Sequence, residues 1–383
     1  MHRRPVLKPG WLALTLLSLP ACAIAQGQKP DAAPPRQAPA LESPVVHADR
    51  TVTFNFRAPA AQKVELSGQF LKGNQPMQKN DAGVWSLTVG PVEPNLYPYN
   101  FVVDGAGVAD PLNPDIFPNE RFKPSLVDVP GETPALHAVQ PVPHGAMTYS
   151  FYESKTLHRT RPLVIYTPPG YESGTEKYPV FYLVSGTTDT EETWFRAGRV
   201  NFILDNLIAQ KKAVPMIVVM PYGNMMMGAP MPSSPEVAAM YQVFSDELMD
   251  NIIPRVESSY RVDASREKRA IAGFSRGGGQ SLYTGFKNPD KFAWIGSYSA
   301  YLTPEVCGKH FPALTADAAA TNSRLKLLWL GVGKADFLHK PAVEFDAFLK
   351  DHGITHTWLE TEGGHTWMNA RHYLAETLQL FFK

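Results

Sequence analysis

Ala272-Gly273-Phe274-Ser275-Arg276-Gly277-Gly278-Gly279 is the stretch on which the reading of this chain turns. The apolar run Ala270-Ile271-Ala272 leads in, and the mixed series Gln280-Ser281-Leu282-Tyr283 leads out. The chain therefore passes from strand through a sharp turn into a helix, with Ser275 at the apex. Gly273-x-Ser275-x-Gly277 is the pattern of a nucleophile elbow, where small residues flank the serine because a larger group would clash in so tight a turn. The serine also stands at a helix N-terminus, where free backbone N–H groups favour developing negative charge. Alone, the motif fits a Gly-rich surface turn equally well. The rest of the chain has to supply a histidine, an acid and an oxyanion hole.

Around the elbow lie continuous apolar runs: Leu163–Tyr166, Val180–Val184, Ile217–Met220, Ala270–Ala272, Phe292–Ile295 and Leu325–Leu330. This is the texture of strands buried on both faces of a largely parallel sheet. Between them fall helix candidates at Phe202–Gln210, Val237–Ile253 (stopped by Pro254), Gly278–Phe286, Ala342–Lys350 and Arg371–Phe382. Strands alternating with helices predict an α/β domain over residues 147–383 with a mostly parallel central sheet, and the elbow motif set in such a sheet is that of an α/β-hydrolase.

In that fold a catalytic triad runs in the order serine, acid, histidine. The acid candidate is Asp336, in Gly331-Val332-Gly333-Lys334-Ala335-Asp336, just past the run Leu325–Leu330. The C-terminal ends of strands are where such sheets place their sites. A carboxylate there would accept Nδ1–H and fix the imidazole tautomer; otherwise Asp336 caps the next helix. Glu344 and Asp346 are poorer choices, since both lie inside that predicted helix. The histidine candidate is His365, in Thr361-Glu362-Gly363-Gly364-His365-Thr366-Trp367, where paired glycines let the loop fold over. His339, His352 and His356 show no H-E-x-x-H pattern and read as polar helix or strand positions rather than a metal cluster. For the oxyanion hole the candidates are the backbone N–H groups of Arg276, next to the serine, and of Thr187, in Ser185-Gly186-Thr187-Thr188-Asp189. A plain strand-to-helix loop is the alternative for the latter. Met225, Phe274, Trp194 and Trp367 are candidates for an aromatic acyl pocket, though core packing accounts for any one of them as well. Cys307 lacks a strand-turn-helix setting and reads as a buried spectator.

Ahead of this domain the texture differs. Residues 1–25 read as an export signal: His2, Arg3, Arg4 and Lys8 are basic, Trp11–Leu19 is apolar but too short to span a bilayer, and Ala23-Ile24-Ala25 suits cleavage. Leu19-Pro20-Ala21-Cys22 is a competing lipoprotein-type site, ranked second. The expected destination is periplasmic or secreted. No later run is long and apolar enough to be a membrane helix. Residues 26–44, rich in Pro, Ala and Gln, read as a disordered linker, and 131–146 as a second, Pro-rich linker. Over 45–130, period-two runs such as Val52, Phe54, Phe56 and Tyr97, Tyr99, Phe101, Val103 are punctuated by turns, which predicts an antiparallel β-sandwich. Lys and Arg together number 36 and so do Asp and Glu, leaving a formal net charge of +0. That balance, without a basic stripe, argues against nucleic acid as a partner. The sequence does not indicate an oligomeric state.

Two resemblances follow from these residues. Gly68-Gln69-Phe70, Gly83-Val84-Trp85-Ser86, Tyr97–Gly105 and Asp110-Pro111-Leu112-Asn113-Pro114 resemble the starch-binding-like, immunoglobulin-like domains found before glycan-active enzymes. Sugar-binding members stack exposed tryptophans on the glycan. Here Phe70 follows Gly68-Gln69 and Trp85 belongs to an inward-facing alternation, so the sandwich is expected to be a spacer supporting the hydrolase. Tyr166-Thr167-Pro168-Pro169-Gly170-Tyr171, Tyr178–Leu183, Asn201–Ile208, Met216–Pro221, Ala272–Gly279, Gly333–Leu338 and Gly363–Trp367 resemble the esterase family that includes feruloyl esterases, acetylxylan esterases, enterochelin-esterase-like proteins, esterase D and the mycolyltransferases. The resemblance implies a serine esterase with Ser275, Asp336 and His365 as its triad and no metal or cofactor. It implies ester substrates, with an acylated plant saccharide favoured by the β-domain and the export signal. A siderophore or other small-ester hydrolase is the rival within the class, in which Arg196, Arg199 and Arg276 would meet an anionic group. A carbohydrate-binding protein on an inactive hydrolase scaffold is the rival outside it.

Overall fold

The continuous apolar runs assemble into one eight-stranded sheet. The computed structural model describes residues 40–226 and 234–383, with the side chains of 234–236 excepted. The export signal, the Cys22 site and most of the first linker lie outside the described residues. The sheet contains β1 (Ala146–Ser154), β2 (Arg159–Thr167), β3 (Val180–Val184), β4 (Ile217–Pro221), β5 (Arg269–Phe274), β6 (Trp294–Tyr298), β7 (Leu327–Gly333) and β8 (Thr357–Thr361), in spatial order β1-β2-β4-β3-β5-β6-β7-β8. β1 and β2 pair antiparallel, as do β2 and β4, and every later pairing is parallel. β3, β4, β5 and β6 are buried along their whole length, as their apolar composition requires. β1 is an edge strand whose exposed positions break the apolar pattern, and the sequence reading missed it.

The helices are α1 (Thr193–Arg196), α2 (Val200–Ala209), α3 (Ser234–Glu247), α4 (Ile253–Ser259), α5 (Arg276–Lys287), α6 (Pro304–His310), α7 (Pro312–Ala316), α8 (Ala318–Arg324), α9 (His339–Asp351) and α10 (Trp367–Leu378). The helix expected to stop at Pro254 instead continues. A π-helical turn at Leu248–Ile252 shifts the hydrogen-bond pattern, and Pro254 then falls in the first turn of α4, where no N–H is needed. β6 runs to Tyr298 rather than ending at Ile295, because Gly296 and Ser297 interrupt the apolar run without interrupting the strand. α10 starts earlier than expected, where the Thr366 hydroxyl accepts the Asn369 N–H.

The front domain is two antiparallel sheets. One orders Val45–Val46, Val52–Arg57, Val84–Val89 and Gln78–Lys79; the other orders Gln75–Pro76, Val64–Gly68, Asn95–Val103 and Ala106–Val108, with Ser125–Val129 also pairing on Asn95–Val103. The alternating residues Val52, Phe54, Leu66, Tyr99 and Phe101 point into a shared core. Trp85 is in that core too, its indole N–H donating to the Ala58 carbonyl. Phe70 packs on Phe54 and Tyr97. Residues 41–383 form one compact unit. Leu96, Phe117 and Leu126 of the front domain belong to the same hydrophobic cluster as Trp194, Trp367 and Tyr373 of the hydrolase. Arg371 of α10 reaches across to donate to Asn95 Oδ1 (2.6 Å) and the Leu96 carbonyl (2.7 Å).

Candidate active site

Ser275 sits between β5 and α5 with φ 57° and ψ −122°. Such a backbone costs a non-glycine residue about 1–3 kcal/mol and persists only where surrounding structure imposes it. What imposes it here is close approach. A Cβ on Gly273 would lie 2.4 Å from the Gly277 carbonyl carbon, and one on Gly277 would lie 2.3 Å from the Val184 oxygen. The Ser275 N–H is anchored on the Tyr298 carbonyl at 2.8 Å, tying the elbow to β6. Arg276 opens α5, so its N–H is among the first-turn donors that the helix cannot satisfy internally.

Asp336 and His365 approach from the loops after β7 and β8. His365 Nδ1 lies 2.9 Å from Asp336 Oδ2 and 3.0 Å from Oδ1. A carboxylate can only accept, so this geometry puts the proton on Nδ1 and leaves Nε2 as an acceptor. Asp336 also accepts the Leu338 N–H at 2.8 Å, so it braces the turn before α9 as well as the imidazole. Burial pushes the Asp336 carboxyl up, but the His365 and Leu338 hydrogen bonds and the nearby imidazole outweigh it and hold the group below the usual carboxylate range. The His365 ring lies between Phe274 (4.6 Å) and the exposed Phe337 (4.5 Å), which restricts its rotation.

Ser275 and His365 line one cavity of about 730 Å³, within the range of small-ligand pockets. Gly186, Thr187, Arg276, Phe274 and Trp367 line it too, so the two oxyanion candidates and two of the four acyl-pocket candidates meet there. Trp194 and Met225 do not line it. Trp194 is fully buried, packed edge-on against Trp367 at 4.7 Å, and Met225 lies in the core on the other side of the sheet with Tyr241 and Phe244. Both were expected from apolar size alone, which does not separate a pocket wall from the layer behind it. Sequence reasoning missed Val237, Ala238 and Tyr241 of α3, the segment Ala300–Thr303, Val306 of α6, and Phe337 and Leu338. Phe337 was the legible one, since it directly follows the acid candidate.

The other flagged groups have structural partners. His339 meets Glu360 and His356 meets Asp346, each within 2.9 Å, and His352 meets the Phe348 carbonyl. Among the described residues no group of three or more His, Cys, Asp or Glu is placed to hold a metal ion. Arg196 is paired with Glu192. Cys307 is buried, which pushes its thiol up to about 12 and keeps it protonated. No helix among the described residues is long and apolar enough to cross a membrane.

A serine elbow, a paired acid and imidazole, and a doubly wound sheet with strand order β1-β2-β4-β3-β5-β6-β7-β8 define an α/β-hydrolase-fold protein carrying an immunoglobulin-like front domain. Residues 154–380, more than half of the chain, match the family described as "Putative esterase", and the chain belongs to that esterase family. Residues 42–116 match carbohydrate-binding module 48 (isoamylase N-terminal domain). A curated relative, the endo-1,4-beta-xylanase/feruloyl esterase of Xylanibacter ruminicola, is 29% identical over 360 residues, covering 91% of this chain. The chain spans about half, 47%, of that relative's length. Among solved structures, the CE1 ferulic acid esterase of Anaeromyces mucronatus is 26% identical, with a TM-score of 0.53, covering 64% of this chain and 93% of its own. The enterobactin esterase of Shigella flexneri reaches a TM-score of 0.60 at 18% identity, covering 86% of this chain and 92% of its own. That likeness concerns the fold and extends over both domains.

Proposed function

We propose that this protein is an exported serine carboxylic-ester hydrolase that works through an acyl-enzyme on aromatic or acetyl esters of plant saccharides. The observation that carries the reading is the Asp336-paired His365 lining the same cavity as the strained Ser275. His365 Nε2 takes the Ser275 proton as Oγ attacks the ester carbonyl. The new C–O bond makes a tetrahedral oxyanion, held by the N–H groups of Thr187 and Arg276. Its collapse expels the alcohol, which takes the proton back from His365. Water then repeats the sequence on the acyl-serine and releases the acid. Asp336 stabilises the imidazolium and remains ionised throughout. The feruloyl-ester relatives and the apolar lining from Val237, Ala238, Leu302 and Val306 support an aromatic acyl group in the cavity. Export is supported by the sequence of residues 1–25.

The test combines a substrate panel with a covalent label. Methyl ferulate, acetyl-xylan, p-nitrophenyl butyrate and a catecholate ester are assayed with wild type and Ser275→Ala, and a fluorophosphonate is mapped by mass spectrometry. Ferulate or acetyl-xylan turnover with labelling at Ser275 is expected. Turnover unaffected by Ser275→Ala would sink the serine mechanism, and turnover confined to the catecholate ester would redirect the substrate class.

A further inference from the structure

Behind the oxyanion loop lies a buried polar cluster drawn from both domains. The Gly186 carbonyl and the Thr187 N–H belong to one planar trans peptide and therefore point in opposite directions. That carbonyl accepts from Arg276 Nη2 at 2.9 Å, so the guanidinium sets the plane on which the Thr187 N–H rides. Further along the loop, the Thr188 carbonyl accepts the Glu120 N–H at 2.7 Å, and the Thr188 hydroxyl accepts the Asn119 amide at 2.9 Å. Thr188 itself is held at φ 64°, a left-handed conformation that needs such restraint. Asn119 and Asp189 form an isolated antiparallel bridge, and the Asp189 carboxylate accepts the Gly186 N–H at 3.1 Å. The Glu120 carboxylate is fixed in turn by the Tyr222 hydroxyl (2.8 Å) and the Asn224 amide (2.7 Å).

The cluster is costly in isolation. Arg276 is only 4% exposed and its Nε has no hydrogen-bond partner. Burial lowers its pKa, opposed by Glu120 and Asp189. Burial likewise pushes the Asp189 carboxyl up to about 7. Replacing such buried charges with apolar groups often leaves a fold as stable or more so, so stability alone is a weak account of them.

We propose that the Arg276 side chain and Asn119, with the Glu120 main chain, are positioning residues for the oxyanion hole, so that the front domain is part of the catalytic apparatus. They act through the loop at Gly186–Asp189, pinning the Gly186–Thr187 peptide plane from Arg276 and the Thr188–Asp189 plane and the Thr188 side chain from the front domain. The inference rests on the serine-esterase reading above.

The test uses the full-length protein, p-nitrophenyl butyrate as substrate and phenylboronic acid as probe. The tetrahedral serine adduct of the boronate places an oxygen where the oxyanion forms. Outright loss of an oxyanion donor costs about 10²–10³ in kcat, so Asn119→Ala and Arg276→Met, which only misalign one, should each cost roughly tenfold. KM should stay within about twofold, and boronate affinity should weaken in parallel with kcat. Arg276→Lys should restore part of the loss. The double variant should cost less than the product of the singles, because both act on one loop. If Arg276→Met does not fold, Asn119→Ala and Arg276→Lys carry the comparison. Wild-type kcat and boronate affinity in folded Asn119→Ala would overturn the positioning role, and so would a raised KM at unchanged kcat. Ser275→Ala, run alongside, separates the two readings. If it remains active, the serine mechanism fails; if it is dead while the positioning variants match wild type, only this inference fails.

Discussion

Ser275 is held in a backbone conformation that glycine adopts freely and other residues resist. Ser275→Gly should therefore be inactive yet more stable than wild type, by about 1 kcal/mol in urea unfolding. A variant less stable than wild type would show that the elbow stores no strain. Asp336 offers a second test. Its carboxyl is pushed up by burial but held below the usual range by its hydrogen bonds, so in the folded state it binds a proton less tightly than in the unfolded chain. That stabilisation is complete above the unfolded carboxylate value of about 3.9 and is lost as pH falls through the folded value. Asp336→Asn should thus be less stable than wild type at pH 7, with the gap narrowing below about pH 4. Its kcat should drop by roughly 10²–10⁴, less than for Ser275→Ala or His365→Ala. Ser275 and Asp336 were legible as candidates because each follows an apolar run, and His365 because Gly363-Gly364 precede it in a loop late in the chain. Trp194 and Met225 misled because hydrophobic size reports burial, not which buried layer faces a cavity.

Among the elements, α10 shows how local sequence sets site geometry. His365 is the residue before the N-cap Thr366, whose hydroxyl accepts the Asn369 N–H while Asn369 Nδ2 donates to the Glu362 carbonyl. Cap and loop are thereby fastened to one another. Thr366→Ala should lower stability by about 1 kcal/mol. It should also lower kcat more than it raises KM, because His365 loses its fixed approach to the cavity. A stability loss with unchanged kcat would mean that the loop is held by Asn369 alone. The strands flanking the elbow could be read from continuous apolar runs, whereas α6, α7 and α8 could not. Their faces are short, their starts fall at Pro304, Pro312 and Ala318, and most of their residues stay in contact with water. The wall they help to build, through Val306, was invisible for the same reason. The π-turn before Pro254 was hidden too, since proline marks a missing donor without telling whether the preceding turn widens to accommodate it.

For the molecule as a whole, the question is what the front domain does. Its alternating strands announced a sandwich, but nothing in them announced that Leu96, Phe117 and Leu126 would join the hydrolase core or that Phe117 would lie 6.0 Å from Trp367. Such contacts come from tertiary packing between segments far apart in the chain. Besides the Asn119 and Glu120 contacts, Arg371 contributes to the polar part of the interface: its buried guanidinium donates to Ala197 O, Asn95 Oδ1 and Leu96 O. Arg371→Met would leave these acceptors unpaired at about 1–3 kcal/mol each, so a total loss of roughly 3 kcal/mol or more is expected. Deleting residues 26–144 would expose the matching apolar surface and should cost solubility or melting temperature. Neither Trp85, buried in the sandwich, nor Phe70, packed on Phe54 and Tyr97, offers a free ring for stacking on sugar. We therefore expect the full-length chain to be only weakly retarded on xylan or starch affinity gels. Phenylboronic acid, through its expected adduct with Ser275, should abolish what retardation there is. Strong retention that survives a saturating boronate would locate a glycan site away from the cavity, and the front domain would then be a binding module rather than a support.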